Sequence, residues 1–293
     1  MARTLPVAVV QDPPIPADAP LSRFAGEVEA LLRRFPQTKL VAYPEMHLFG
    51  VDSADELAAA AEPLAGPRVT ALAELAGDLG IWLLPGSLAE SDPSRPGALF
   101  NTAMAFSPDG TLAAWYRKIF PWRPYEIFTP GDQFVVFELS GVGRCGFSIC
   151  YDAWFPEVSR QLAWLGAEVI VNPTRTTTAD RPQEVVLARA NAIVNQVFVI
   201  SINAAAPVGV GGSLIVDPEG RVRVSAEGSN ATVLTDVLDL DEVRRVREFG
   251  TAGLNRLWDQ FSPDNGGKST DPTIELPLYQ GRIDPKRWKP RQA

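Results

Sequence analysis

Histidine is nearly missing from these 293 residues, with His47 the single copy, and cysteine occurs only at Cys145 and Cys150. A structural zinc site draws on about four Cys or His ligands and a catalytic one on about three, so acidic side chains would have to supply most of any set. No metal is expected. A serine triad would have to use His47 as its base, and no serine sits in a G-x-S-x-G elbow. Positive charge is also short: 27 Lys and Arg face 35 Asp and Glu, a net charge of -8. The basic face that a phosphate backbone demands is lacking, which excludes a general nucleic-acid partner. No apolar run approaches the ~18 residues of a membrane span. Leu5–Val10 is too short for a signal-peptide core and runs straight into Gln11 and Asp12. A cytoplasmic protein with no membrane partner is expected. The two cysteines lie five apart in GRCGFSIC, on opposite faces if this is a strand. They could not then bond each other, which suits reduced thiols in a reducing compartment.

What is present is ordinary globular material, 46% apolar and 21% charged, so disorder and fibrous repeats are set aside. Short β-branched runs alternate with helical patterns. Strands are expected at Leu5–Val10, Lys39–Tyr43, Ile81–Leu84, Phe134–Leu139, Cys145–Ile149, Val169–Val171, Val197–Ile202, Leu214–Val216, Val222–Val224 and Val233–Val237. Ala103–Phe106 and Leu112–Tyr116 read as a hairpin about Pro108-Asp109-Gly110. Helices are expected at Phe24–Phe35, from Pro67, at Phe155–Leu165, at Pro182–Gln196 and at Asp241–Phe249. In the Pro182 helix, Val186, Ala190, Ile193 and Val197 fall on one face. Alternating strands and helices with hairpins imply an α/β fold with mixed sheets. One domain is expected over residues 1–260. Residues 261–293 form a proline-punctuated extended tail, either frayed or packed as an arm on a neighbouring subunit.

Two glycine motifs mislead. Gly141-Val142-Gly143-Arg144-Cys145-Gly146 matches G-x-G-x-x-G, but a strand follows where a dinucleotide site needs a helix N-terminus, so a turn between strands is expected. Gly266-Gly267-Lys268-Ser269 has Ser262 where a P-loop has its first glycine. More informative are three reactive groups just past apolar strands: Glu45 in YPEMHLFG, Lys118 in WYRKIFPW and Cys150 in GFSICYDAWFPE. Open α/β sheets place ligand sites outside such strand ends. If the three strands are neighbours, the side chains share a pocket. There Glu45 can take the thiol proton as general base, and Lys118 can steady charge developing on the substrate. No histidine and no cofactor is needed.

The three contexts together resemble the nitrilase superfamily of carbon–nitrogen hydrolases. They are Pro44-Glu45, Arg117-Lys118 and Cys150-Tyr151-Asp152-Ala153-Trp154-Phe155-Pro156-Glu157. KIFPWRPYEIFTPGD, Lys118–Asp132, is similar to the loop of the amidase and formamidase branch. VNPT, ARANAIVNQVFV and the Ser213–Gly220 hairpin extend the likeness, which spans roughly residues 5–240. The resemblance implies a four-layer α-β-β-α sandwich of mixed sheets. It makes Cys150 the nucleophile, Glu45 the base, Lys118 the support of the tetrahedral intermediate and Glu126 a second glutamate that positions substrate and tunes Lys118. The backbone N–H of Tyr151 joins Lys118 in an oxyanion site. Phe120, Trp122, Thr174 and Arg175 are further substrate-binding candidates. Arg175 either meets a substrate carboxylate or is a surface loop residue. His47 and Phe49 stand where the family has smaller residues and are expected at the pocket rim.

The implied reaction is hydrolysis of a non-peptide C–N bond through a thioester. A small amide is the first choice of substrate, then an N-carbamoyl amine or amino acid, then a nitrile. A catalytically silent binding protein on the same scaffold is the competing class, and the intact Glu45, Lys118, Glu126 and Cys150 set argues against it. The resemblance also implies a homodimer or higher homo-oligomer, paired through the helices at Phe155–Leu165 and Pro182–Gln196.

Overall fold

Along the first strand, Leu5, Val7 and Val9 enter one apolar cluster while Ala8 and Val10 enter another. Side chains alternate with period two, and both faces are covered, so the segment reads as an unbroken apolar run. This strand belongs to a computed structural model that describes residues 2–51 and 53–261. The strands are β1 (Thr4–Gln11), β2 (Leu40–Ala42), β3 (Trp82–Leu84), β4 (Ser87–Ser91), β5 (Leu99–Phe106), β6 (Leu112–Arg117), β7 (Val136–Leu139), β8 (Gly143–Phe147), β9 (Val169–Thr174), β10 (Phe198–Asn203), β11 (Leu214–Val216), β12 (Val222–Ser225) and β13 (Thr232–Asp239). The helices are α1 (Leu21–Arg34), α2 (Ala54–Ala60), α3 (Pro67–Leu79), α4 (Pro156–Trp164), α5 (Arg181–Asn195) and α6 (Asp241–Phe249).

Two mixed sheets result. One runs β13-β1-β2-β3-β5-β4 with β6 paired to β5, and the other runs β12-β11-β10-β9-β8-β7. Val7, Val9 and Tyr116 of the first sheet pack on Phe147, Val169 and Ile200 of the second. Phe24 and Val28 of α1 and Leu72 of α3 cover the first sheet's outer face. Leu162 of α4 and Ala192 of α5 cover the outer face of the second. These are the four layers α-β-β-α. Helix α3 opens with Pro67 and stops at Gly80, whose φ of 63° no side chain opposes. The Gly141 motif is the turn of the antiparallel β7–β8 pair, as its sequence context requires.

One expectation, the rim placement of His47 and Phe49, needs correction, and two readings left open are decided. The strands carrying Glu45, Lys118 and Cys150 are not neighbours: β3 and β5 separate β2 from β6, and β8 is in the other sheet. On α5, Val186 and Ile193 are exposed, while Arg181, Glu184, Asn191 and Asn195 face inward. Arg181 is buried because it is paired, donating to Glu184 at 2.8 Å, to Ser201 Oγ at 3.1 Å and to the Gly212 carbonyl at 3.0 Å. His47 and Phe49 are buried in the cluster under α1 and α3, not at a rim, since Tyr43 stacks on the imidazole. Helix α2, capped by Ser53 accepting from the Glu56 N–H, and strand β4 escape the sequence reading. The proline-rich segment from residue 262, with its glycine motif and packing residues, lies outside the described residues.

Candidate active site

Glu45 follows β2 in a tight turn where Met46 takes a φ of 54° and donates its N–H to Ser87 Oγ at 3.1 Å. Lys118 follows β6, its backbone N–H held by the Asn101 carbonyl at 2.9 Å and its own carbonyl by the Gly131 N–H at 2.8 Å. Lys118 is fully buried and Glu45 nearly so. Lys118 Nζ lies 3.0 Å from Glu45 Oε1 and 2.8 Å from Glu126 Oε1. Glu126 Oε2 in turn accepts the Trp122 N–H at 2.8 Å, which folds the loop after β6 back over the lysine. An ammonium buried without partners would be expelled or neutralised; two carboxylates keep it in place.

Cys150 opens a short 3-10 turn, Cys150–Trp154, beyond β8. Its φ of 48° lies in the left-handed region, where a non-glycine residue is strained. Asp152 holds the turn: Oδ2 accepts the Ile149 N–H at 2.9 Å and the Tyr116 hydroxyl at 2.7 Å, and Oδ1 accepts the Phe120 N–H at 2.8 Å. Cys150 and Glu45 line the same cavity, close enough that each shifts the ionisation of the other. The acid, the amine and the thiol are thus brought together between the two sheets.

Charges in this site are strongly coupled. Burial alone would raise the Glu45 carboxyl, but the Lys118 charge and hydrogen bond, with Arg175 and Cys150, hold it below the ordinary carboxylate value. Burial opposes the Lys118 charge as well, yet Glu45, Cys150 and Glu126 keep it firmly protonated. Burial and then the Glu45 charge push the Cys150 thiol well above its usual value, against the pull of Lys118. Asp152 is lifted by burial to about 6, with Lys118 and its three donors acting the other way. At neutral pH the site therefore rests as carboxylate, ammonium and neutral thiol. Among the described residues, no group of three or more His, Cys, Asp and Glu is placed to hold a metal ion.

A cavity of about 330 Å³ opens on this cluster. Glu45, Glu126 and Cys150 line it, together with Tyr151, Trp122 and Arg175 from the sequence-derived set. Phe120 and Thr174 do not. The Phe120 ring stacks on Phe155 at 3.7 Å between centroids. The buried Thr174 hydroxyl donates to the Ile202 carbonyl at 3.0 Å, while its carbonyl accepts the Glu45 N–H. Both support the site from behind. Sequence reasoning gave no role to Asn101, Asp152 or Glu184. Asn101 and Glu184 line the cavity, and the only signal was a polar residue within an apolar strand or helix face.

Two mixed sheets between helical layers, with a buried acid–amine pair beside a thiol, define a class of enzyme built to attack carbon–nitrogen bonds. Residues 6–248 match the carbon–nitrogen hydrolase family model, and the chain belongs to that family. It is 34% identical over 218 residues to omega-amidase NIT2 of Xenopus tropicalis, covering 69% of this chain and 77% of that one. It is 35% identical over 216 residues to the (R)-stereoselective amidase of a Pseudomonas species, covering 72% and 76%. The crystal structure of Nit3 from Saccharomyces cerevisiae, of the nitrilase superfamily, is similar with a TM-score of 0.76 at 30% identity, over 84% of this chain and 93% of that one. The chain is a non-peptide carbon–nitrogen hydrolase with the nitrilase-type sandwich. No described helix is long and apolar enough to cross a membrane.

Proposed function

We propose that the protein hydrolyses small amides through an acyl thioester on Cys150. One observation carries this reading: Lys118 bridges Glu45 and Glu126 at 3.0 and 2.8 Å, directly behind a cavity that both carboxylates and the Cys150 thiol line. Sulfur attacks the carbonyl carbon as the thiol proton passes to Glu45. Lys118 and the Tyr151 N–H receive the oxyanion. The C–N bond then breaks, and the nitrogen takes the proton from Glu45 and leaves as ammonia or an amine. Water next attacks the thioester, giving its proton to Glu45. The C–S bond breaks, the acid leaves and the sulfur regains the proton. A thiol that is neutral at rest must give up its proton before or during attack, and Glu45 is the acceptor beside it. Glu126 acts through Lys118, holding it in register.

The amidase names of the relatives support an amide over a carbamoyl compound or a nitrile. Trp122 and Tyr151 offer apolar walls, and Arg175 offers a cation to a carboxylate at the far end of the substrate. Self-association through α4 and α5 belongs to this reading, supported by the exposed Val186, Ile193 and Val194. So does a cytoplasmic setting, supported by two free thiols. The test is ammonia release from a panel of aliphatic amides, dicarboxylic acid monoamides, carbamoyl amines and nitriles, with the Cys150 adduct sought by mass spectrometry. Amides are expected to turn over and to leave an acyl mass on Cys150, and folded Cys150→Ala is expected to be inert. Turnover by Cys150→Ala refutes the mechanism. Turnover of nitriles alone refutes the substrate class.

A further inference from the structure

Asn101 lies in β5, beside the strand that delivers Lys118; it is 1% exposed and lines the cavity. Its Nδ2 donates to Glu45 Oε1 at 2.7 Å, and that same oxygen takes Lys118 Nζ at 3.0 Å. The amide cannot be turned over, because Oδ1 would then face an ionised carboxylate. Oδ1 is thereby directed away from Glu45, and it is buried with no hydrogen-bond partner. Asparagine in a framework role is different. Asn203 Oδ1 accepts from the Thr176 N–H at 2.8 Å and the Ala204 N–H at 2.9 Å, and its Nδ2 donates to the Gly211 carbonyl at 2.9 Å. Asn195 also leaves its Oδ1 bare, but it sits on the inner face of α5 and does not line the cavity.

We infer that Asn101 is a working part of the site. Its Nδ2 occupies Glu45 Oε1, so that proton exchange with Cys150 and water falls to Oε2, while its Oδ1 accepts an N–H of the scissile amide. The inference rests on Glu45 being the general base. One side chain then does two things: it positions the base, and it offers an acceptor that an amide nitrogen can fill and an ester oxygen cannot. The product acid has no N–H to offer either, so the same oxygen favours its release. Glu45 is faced by Lys118 from the end of β6, by Arg175 beyond β9 and by Cys150 from its turn, with Glu126 reached through Lys118. None of these is removed by substitution at 101.

The test is Asn101→Leu, similar in size and without polar groups, assayed on a primary amide and on the methyl ester of the same acid. The amide kcat is expected to fall by about tenfold or more. The acid limb of kcat/KM moves to higher pH, because ionised Glu45 loses a donor. KM rises for the amide and not for the ester. An unmoved acid limb in the folded variant overturns the inference, and so does an equal change of KM for both substrates. Should Asn101→Leu fail to fold, Asn101→Asp keeps the shape and sets a second acid against Oε1; its acid limb must also rise, and an unmoved limb overturns the inference. Cys150→Ala and Glu45→Gln separate the two failures. Activity in either sinks the general-base reading. Both inert, with Asn101→Leu behaving as wild type, sinks the inference alone.

Discussion

Tyr116 donates its hydroxyl to Asp152 Oδ2 at 2.7 Å, and this bond, with the Phe120 N–H to Asp152 Oδ1 and the Glu45 N–H to the Thr174 carbonyl, ties the two halves of the sandwich together at the site. Tyr116 stands two residues before Lys118, and Asp152 two residues after Cys150. The distance between ammonium and sulfur therefore depends on it. Removing the hydroxyl leaves a buried carboxylate with two donors in place of three, a loss of about 1–3 kcal/mol. Tyr116→Phe is expected to lower the melting temperature and to reduce kcat more than KM, since the thiol drifts from the groups that activate it. Thermal unfolding and steady-state kinetics check this. A variant with wild-type kcat shows that the turn holds Cys150 without help from β6.

Lys118, itself fully buried, stands between two carboxylates. Lys118→Met removes the cation and leaves Glu45 and Glu126 uncompensated, which costs the fold about 3–5 kcal/mol. The loss of oxyanion support lowers kcat by about 10²–10³-fold. Lys118→Arg is expected to restore neither, because a planar guanidinium cannot occupy the volume of an ammonium gripped from both sides. Urea unfolding separates the stability loss from the catalytic loss. Lys118→Met with near-normal turnover removes Lys118 from the reaction.

The three reactive residues were legible because each follows a short apolar run and each sits in a distinctive local context. Their meeting place was not. Strand neighbours are settled by pairings such as Thr4 with Asp239, which no local pattern records. The face of α5 that turns inward was not legible for a related reason. Apolar periodicity marks a stripe, but Arg181 and Glu184 are buried through their bond to each other, and Val186 and Ile193 of the stripe are left exposed. In the loop after Lys118, Phe120 turns to the core and Trp122 to the cavity, and a loop has no period from which to tell them apart. Asn101 and Asp152 each signalled an unknown partner by being polar in buried segments, and only coordinates name the partner.

Gly86 separates β3 from β4 with a φ of 88°, and a Cβ there would collide with the Pro44 carbonyl oxygen. Pro44 precedes Glu45, so the collision displaces the carboxylate proposed as general base. Gly86→Ala is expected to lose more than about 1 kcal/mol of stability and to lose kcat as well. Gly80→Ala provides the contrast: its φ is 63° and a Cβ meets nothing within 4 Å. That variant should lose about 1–2 kcal/mol from the left-handed backbone alone, with kcat unchanged. Equal kcat in both variants argues that the β2 turn tolerates displacement of Pro44.

His47, although the only histidine, has no place in the chemistry. It is buried against Tyr43, with ring centroids 4.7 Å apart, and both ring nitrogens lack a partner. Burial holds its imidazole at about 3, far below 6.5. Between those values the unfolded chain binds a proton that the folded protein refuses, so stability is lost as pH falls from 6.5 toward 3. The slope from this group is about 1.4 kcal/mol per pH unit. His47→Phe keeps the stacking, removes two unpaired nitrogens and abolishes that slope. The variant is expected to melt at or above the wild-type temperature at pH 7, with an advantage that widens at pH 5 and with kcat unchanged. A variant that loses stability at pH 5 relative to wild type shows that the imidazole is solvated or paired in the native protein.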